Sequence, residues 1–181
     1  MFKKWILFAF SILLLYSAMP SCANAQLNSN TSSVTLSAPL LETLTVAAAP
    51  TTVTFVLVGN GTSTGSTAVS ITTTWILAVT RSNVKLYGYF GSASAALTDG
   101  ASHNIPTSSV LGSVNSGAFT AFTGNSPFGT GTSLQIFSQA VSGATLNSNR
   151  TDSLALEIDT VGLNLPSATY TGTLTLQAQA I

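Results

Sequence analysis

The chain closes with the sequence Pro166-Ser167-Ala168-Thr169-Tyr170-Thr171-Gly172-Thr173-Leu174-Thr175-Leu176-Gln177-Ala178-Gln179-Ala180-Ile181. From Tyr170 onward, small and apolar residues alternate with Thr and Gln, which is the period of two typical of a β-strand with one buried face. A strand of this kind needs a neighbouring strand for its backbone groups and a second layer for its apolar side. The rest of the chain must therefore supply a sheet framework.

The same alternation recurs along the chain, and no segment beyond the first 25 residues has the period of a helix. We predict strands at residues 33–38, 40–47, 52–58, 66–79, 84–90, 118–122, 134–140 and 150–159. Short strands separated by turn residues predict an all-β fold, an antiparallel Ig-like β-sandwich of about eight or nine strands. A closed barrel is the alternative.

Two details of this sandwich are predicted as well. Residues 66–79 and 84–90 are expected to form a central hairpin, with Trp75 as the largest core side chain. Residues 91–131 form a long connection rich in Gly, Ser, Thr and Asn. Because structureless connections of this length are unusual in compact domains, we expect it to be functional or partly strand-forming.

The N-terminus has the pattern of a secretory signal peptide. Lys3 and Lys4 precede an apolar run at residues 5–16, and Ala23-Asn24-Ala25 supplies small residues for cleavage after Ala25. The run is shorter than the ~20 residues of a membrane-spanning helix, which disfavours an anchor. Lipoprotein processing at Cys22 is the other alternative. The sequence thus predicts a signal peptide at residues 1–25 and a single domain at residues 26–181, secreted, periplasmic or on the cell surface.

Charge is scarce in this chain. Charged residues make up 6% of the sequence, against about 25% in typical soluble domains. Without a basic patch, nucleic-acid binding is excluded. Thr, Ser, Asn and Gln take the outward strand positions, so like-charge repulsion does little to oppose association between copies. The only cysteine is Cys22, so the mature domain is expected to fold without a disulfide.

Two patterns are compatible with hydrolase chemistry. Gly61-Thr62-Ser63-Thr64-Gly65 has the spacing of a nucleophile elbow, but that motif requires a helix after the turn and a strand follows here. His103 is the only histidine, and a catalytic role would require Asp99 or another carboxylate beside it. A solvated loop is the simpler interpretation of His103, and we predict that the protein is not an enzyme.

Asp152, Glu157 and Asp159 are close in sequence, and carboxylates with loop carbonyls are the ligands that calcium prefers. Glu157 and Asp159 share the outward side of one predicted strand, which a plain polar face explains equally well. Two carboxylates on one strand also do not form the facing pair of a glycosidase. We predict neither a metal site nor a cofactor.

Aromatic residues offer a possible sugar-binding surface. Tyr87 and Tyr89 share a face with Lys85, and the 119–128 loop carries Phe119, Phe122 and Phe128. Exposed aromatics stack on sugar rings, so an extracellular carbohydrate-binding module is the alternative function. The competing interpretation is that the Phe residues cover one end of the core.

The closing segment from Leu165 to Leu176 resembles the C-terminal strand of spore coat protein U-like and fimbrial-subunit-like bacterial proteins. The patterns Val34-Thr-Leu36, Leu44-Thr-Val46 and Val53-Thr-Phe55 are similar to their first strands. The resemblance implies an Ig-like fold exported to the cell surface and assembling into a pilus or coat, in some members by donating an N-terminal strand to the neighbouring subunit. The disulfide common in fimbrial subunits is absent here.

The sequence therefore favours a secreted or cell-surface structural protein, a self-assembling pilus or coat subunit or an adhesin-like protein. Its expected partners are further copies of itself or other surface proteins, with glycans as a further possibility, and no membrane span is expected in the mature chain. Whether residues 26–38 pair within their own domain or with a neighbour is left open.

Overall fold

The computed structural model describes residues 28–181. The predicted signal peptide, its cleavage site and Cys22 lie outside the described residues. Residues 28–38 contain no helix or strand, and the compact unit that follows comprises Pro39–Ile181.

The described chain is an all-β structure whose sheets are antiparallel, as the alternation predicts. Its only helical elements within residues 28–181 are two short 3-10 turns, at Thr107–Ser109 and Gly143–Thr145. The strands are β1 (Thr43–Ala49), β2 (Thr62–Thr64), β3 (Val69–Ile76), β4 (Asn83–Tyr89), β5 (Leu97–Thr98), β6 (Asn104–Ile105), β7 (Val110–Val114), β8 (Thr120–Ala121), β9 (Ser133–Ala140), β10 (Asn147–Asp159) and β11 (Thr175–Ala180).

Two sheets and a small ribbon contain these strands. The larger sheet has the order β1-β3-β10-β7-β8, with β2 also paired to β10. The smaller sheet has the order β11-β4-β9, and β5 pairs with β6. Because β11 pairs only with β4 in the described chain, its other side is a free sheet edge.

Inward-facing side chains from both sheets form one hydrophobic core. Trp75 is fully buried in it, and its indole N–H donates a hydrogen bond to the carbonyl oxygen of Thr145 at 2.8 Å. The prediction that Trp75 is a core residue is confirmed. Other fully buried members of the core are Ile71, Val84, Leu86, Ile105, Phe122 and Leu154.

The predicted central hairpin is wrong, because β3 and β4 belong to different sheets. β3 lies between β1 and β10, whereas β4 lies between β11 and β9. The turn after β3 is held by Glu42, whose carboxylate accepts hydrogen bonds from Ala78 and Arg81. Alternation reports which side of a strand is buried, but it carries no information on which strand lies beside it.

Two predicted strands are absent from the sheets. Residues 33–38 and 52–58 alternate as strands do, yet neither is paired in a β-ladder within the described chain. The long connection at 91–131 is partly strand-forming, as expected, since it contains β5 to β8. The short strand expected at 118–122 is β8.

Candidate functional site

The first wall of the candidate site is the unpaired segment 51–58, which follows Pro50. Val53, Phe55 and Leu57 are half-buried and pack against the core, while Val56 between them is 87% exposed. The side chains of Val53 and Phe55 pack over Gly65, where an added Cβ would lie 2.7 Å from Val53 Cγ1. The segment is therefore held by its inward side chains rather than by a β-ladder.

The backbone of this wall is bonded on one side only. The N–H of Ser66 donates to the Thr54 carbonyl at 2.8 Å, and the N–H of Val58 donates to Ser63 Oγ at 2.9 Å. In an extended chain, successive residues direct their backbone groups to opposite sides. Those of the inward residues Val53, Phe55 and Leu57 thus lie on the other side, where the described chain provides no hydrogen-bond partner.

The second wall consists of residues 168–174 and strand β11. Thr98 and Thr171 exchange two backbone hydrogen bonds of 2.9 Å, which attach this wall to the β5–β6 ribbon. Further along, the Ile181 N–H donates to the Asn83 carbonyl oxygen at 2.9 Å, and the Ile181 carbonyl oxygen accepts a hydrogen bond from the Asn83 N–H at 3.2 Å. In an antiparallel ladder, every second residue of a strand directs its backbone groups to the same neighbouring strand. Ile181 is bonded to Asn83 at the start of β4, so Leu176 and Ala178, at the alternate positions, direct their backbone groups away from β4.

Between the two walls lies an apolar groove of about 850 Å³. Its sides are formed by Val53, Phe55, Leu57, Leu174 and Leu176, and core residues such as Leu156 form its floor. Both long sides of the groove carry backbone donors and acceptors without partners in the described chain. An extended peptide laid in this groove would satisfy them as a β-ladder does.

A second feature with strand character is the segment 28–38. It alternates apolar and polar residues at Val34, Thr35, Leu36 and Ser37, and its apolar side chains are not buried. Val34 is 82% exposed and Leu36 is 89% exposed. This spacing is that of a strand with one apolar face.

The candidate hydrolase residues occupy separate structural roles. Ser63 is buried on β2, and its hydroxyl accepts the N–H of Val58. His103 lies in the loop between β5 and β6, where its Nδ1 is 2.7 Å from Asp99 Oδ2. Hydrogen bonds from the Ala101 N–H and the His103 ring lower the pKa of Asp99. No hydrogen bond joins Ser63 to His103 in the described residues.

The candidate calcium ligands lie on opposite faces of β10, because Asp152 is on its buried face and Glu157 and Asp159 alternate with buried residues. Asp152 points inward, and its carboxylate accepts hydrogen bonds from the guanidinium of Arg150 at 2.8 Å and the amide of Asn115 at 2.8 Å. Burial raises the pKa of Asp152, but these two hydrogen-bond donors outweigh burial and leave it below its ordinary value. No cluster of three or more metal-ligating side chains occurs among residues 28–181.

The predicted aromatic residues divide into core and surface. Phe122 is fully buried, as expected for a residue covering the core, and Tyr87 is 7% exposed. Phe119 is exposed, and Tyr89 and Phe128 are half-buried. The rings of Tyr89 and Phe128 are stacked with centroids 6.0 Å apart.

Sequence reasoning missed the ion pair of Glu42 and Arg81, because the two residues lie far apart in the chain.

No helix within residues 28–181 combines the length and apolar character needed to cross a membrane. Comparisons of the chain with protein-family models, with curated proteins and with solved structures gave no match.

Proposed function

We propose that this protein is a secreted, non-enzymatic structural subunit that assembles by strand addition: residues 28–38 of one copy occupy the apolar groove of the next. The observation that carries this proposal is the presence of unpaired backbone groups on both long sides of the groove. A fold that leaves two facing ladder edges open around apolar side chains is short of one strand.

The donor segment and the groove have matching chemistry. Val34 and Leu36 project from one side of an extended segment, and the groove offers Phe55, Leu57 and Leu174 to receive them. Complete burial of a Val or Leu side chain contributes about 1.5–3 kcal/mol. Each new backbone hydrogen bond adds about 0.5–1.5 kcal/mol. A segment with two such anchors and a ladder on each side therefore gains free energy from both kinds of contact when it binds, against the cost of association.

The proposed fold class is an Ig-like β-sandwich completed by this added strand. It agrees with the resemblance of the first and last strands to spore coat protein U-like and fimbrial-subunit-like proteins. The scarcity of charge favours the same function, because neighbouring copies meet with little electrostatic repulsion. Export through the predicted signal peptide would place the subunits in the periplasm, on the cell surface or in the medium.

The proposal is tested by the size of the mature protein in solution. We would purify residues 26–181 and a version that lacks residues 26–38, and compare them by light scattering and negative-stain microscopy. Oligomers or filaments that vanish on truncation support strand addition between copies. A wild-type monomer at high concentration contradicts it and would instead leave the groove to be filled by the chain's own segment or by another ligand.

A further inference from the structure

A second site lies on the outer side of the β11-β4-β9 sheet, outside the groove. It begins with the loop 124–132, which arches back over the sheet. Gly124 and Ser133 exchange backbone hydrogen bonds of 2.8 and 3.1 Å at the base of the arch. Ser126 Oγ accepts the N–H groups of Phe128 at 3.2 Å and Gly129 at 3.1 Å. These bonds hold the loop in this conformation.

The arch places the ring of Phe128 against two tyrosines of β4. Phe128 is stacked with Tyr89, and it meets the buried Tyr87 edge-on with centroids 6.0 Å apart. The phenol of Tyr89 donates a hydrogen bond to Gln177 Oε1 at 3.0 Å. That bond orients the amide of Gln177, and its Nε2 group has no partner in the described chain. An oriented amide donor therefore lies beside a supported aromatic ring.

Phe128 and Gln177 border a cleft of about 340 Å³ that extends toward the start of β1. The other polar residues that line the cleft are Glu42, Thr43, Arg81 and Gln179, and its remaining lining is apolar: Leu44, Leu77, Ala178 and Ala180. Arg81 binds Glu42 through two hydrogen bonds, of 3.0 and 3.1 Å, and Glu42 also accepts the N–H of Ala78. The cleft thus contains fixed donors and acceptors whose formal charges cancel.

We infer that this cleft binds a neutral sugar ring, with Phe128 against the apolar face of the ring and Gln177 bonded to its hydroxyl groups. An aromatic ring beside oriented amide, carboxylate and guanidinium groups matches a ligand that is apolar on one face and hydroxylated at its edge. Since the guanidinium of Arg81 is already neutralised by Glu42, the cleft favours an uncharged glycan over an acidic one. This inference does not depend on subunit assembly, because the groove and the cleft use different side chains.

The test is isothermal titration of the full mature chain with cellohexaose, chitohexaose and maltohexaose, three neutral glycans of different linkage and substitution. We expect at least one to bind. Phe128→Ala and Gln177→Ala should each weaken that binding roughly tenfold or more, a loss that titration resolves readily. Phe119→Ala, which removes an exposed aromatic that does not border the cleft, should leave the affinity unchanged.

Three results would overturn the inference: no binding of any of the three glycans, undiminished binding by Gln177→Ala, or an equal loss in Phe119→Ala. Circular dichroism checks that each variant is folded. If Phe128→Ala does not fold, the binding affinity of Gln177→Ala decides whether the cleft binds sugar. Light scattering of the same samples reports assembly separately, so a failure of sugar binding is distinguishable from a failure of the proposed function.

Discussion

The backbones of Thr98 and Thr171 are joined by two hydrogen bonds of 2.9 Å, one in each direction. This bridge is what attaches one wall of the apolar groove to the β5–β6 ribbon. Next to it, Gly172 passes so close to Ala96 that a Cβ on Gly172 would overlap the Ala96 carbonyl oxygen. The position of the second wall therefore depends on a close contact that only glycine permits.

Gly172→Ala should displace this wall and lower the free energy of unfolding by about 1–3 kcal/mol, the usual cost of overpacking. Chemical denaturation of the mature chain measures the change. The matched control is Gly91→Ala, since nothing lies within 4 Å of a Cβ at Gly91. Equal stability of the two variants would show that the Gly172 contact does not constrain the wall.

The groove wall at 51–58 allows a comparison of adjacent residues on opposite faces. Phe55→Ala removes an aromatic side chain that lines the groove, whereas Val56→Ala removes one that points to solvent. If strand addition uses this wall, Phe55→Ala should raise the concentration at which the mature chain assembles by roughly tenfold, equivalent to about 1.4 kcal/mol. Concentration-dependent light scattering measures this shift. An equal shift in Val56→Ala would argue against the groove as the binding surface.

The ion pair of Arg150 and Asp152 should contribute to stability. Asp152 is almost fully buried, so Asp152→Ala leaves the charge of Arg150 without its partner. We expect the free energy of unfolding to fall by about 2–3 kcal/mol. This is less than the roughly 3–5 kcal/mol lost when a fully buried pair is broken, because Arg150 is partly exposed. The double variant Arg150→Met, Asp152→Leu should lose less than Asp152→Ala alone. A larger loss in the double variant would mean that the pair itself, rather than the avoidance of a lone charge, stabilises the fold.

Acid should weaken the contact that positions the turn after β3. Hydrogen bonds from Arg81 and from the Ala78 N–H lower the pKa of Glu42 from 4.5 to about 2. Because the folded pKa lies below the unfolded one, the stabilisation by Glu42 is complete above pH 4.5 and is lost as the pH falls toward 2. Both side chains are exposed, so the effect should be small.

The measurement is the thermal midpoint of the wild type and of Glu42→Gln between pH 7 and pH 2.5. The difference between the two should shrink as the solution is acidified. The control is the same comparison in the Arg81→Gln background. There Glu42 has lost its charged partner, so Glu42→Gln should change the thermal midpoint less at every pH. A difference that stays constant with pH would show that Glu42 acts through packing rather than through its charge.

Alternation was sufficient to predict most strands and the core position of Trp75, because side-chain period and burial are local properties. It could not predict that β3 and β4 belong to different sheets, since the same alternation suits any neighbour. It also predicted strands at 33–38 and 52–58, which have the pattern but no ladder. These two exceptions are the segments that the proposed function brings together. The Glu42–Arg81 cleft and the Thr98–Thr171 bridge were beyond sequence reasoning, because each joins residues distant in the chain.

The central claim is tested most directly by placing charge on one face of the proposed donor strand or on the other. In the mature chain, Val34→Asp with Leu36→Asp puts carboxylates on the apolar face, and Thr35→Asp with Ser37→Asp adds the same charge to the polar face. Light scattering at high concentration should find assemblies of the wild type and of the Thr35, Ser37 variant, and monomers of the Val34, Leu36 variant. Equal assembly of the two variants, or a monomeric wild type, would contradict strand addition between copies.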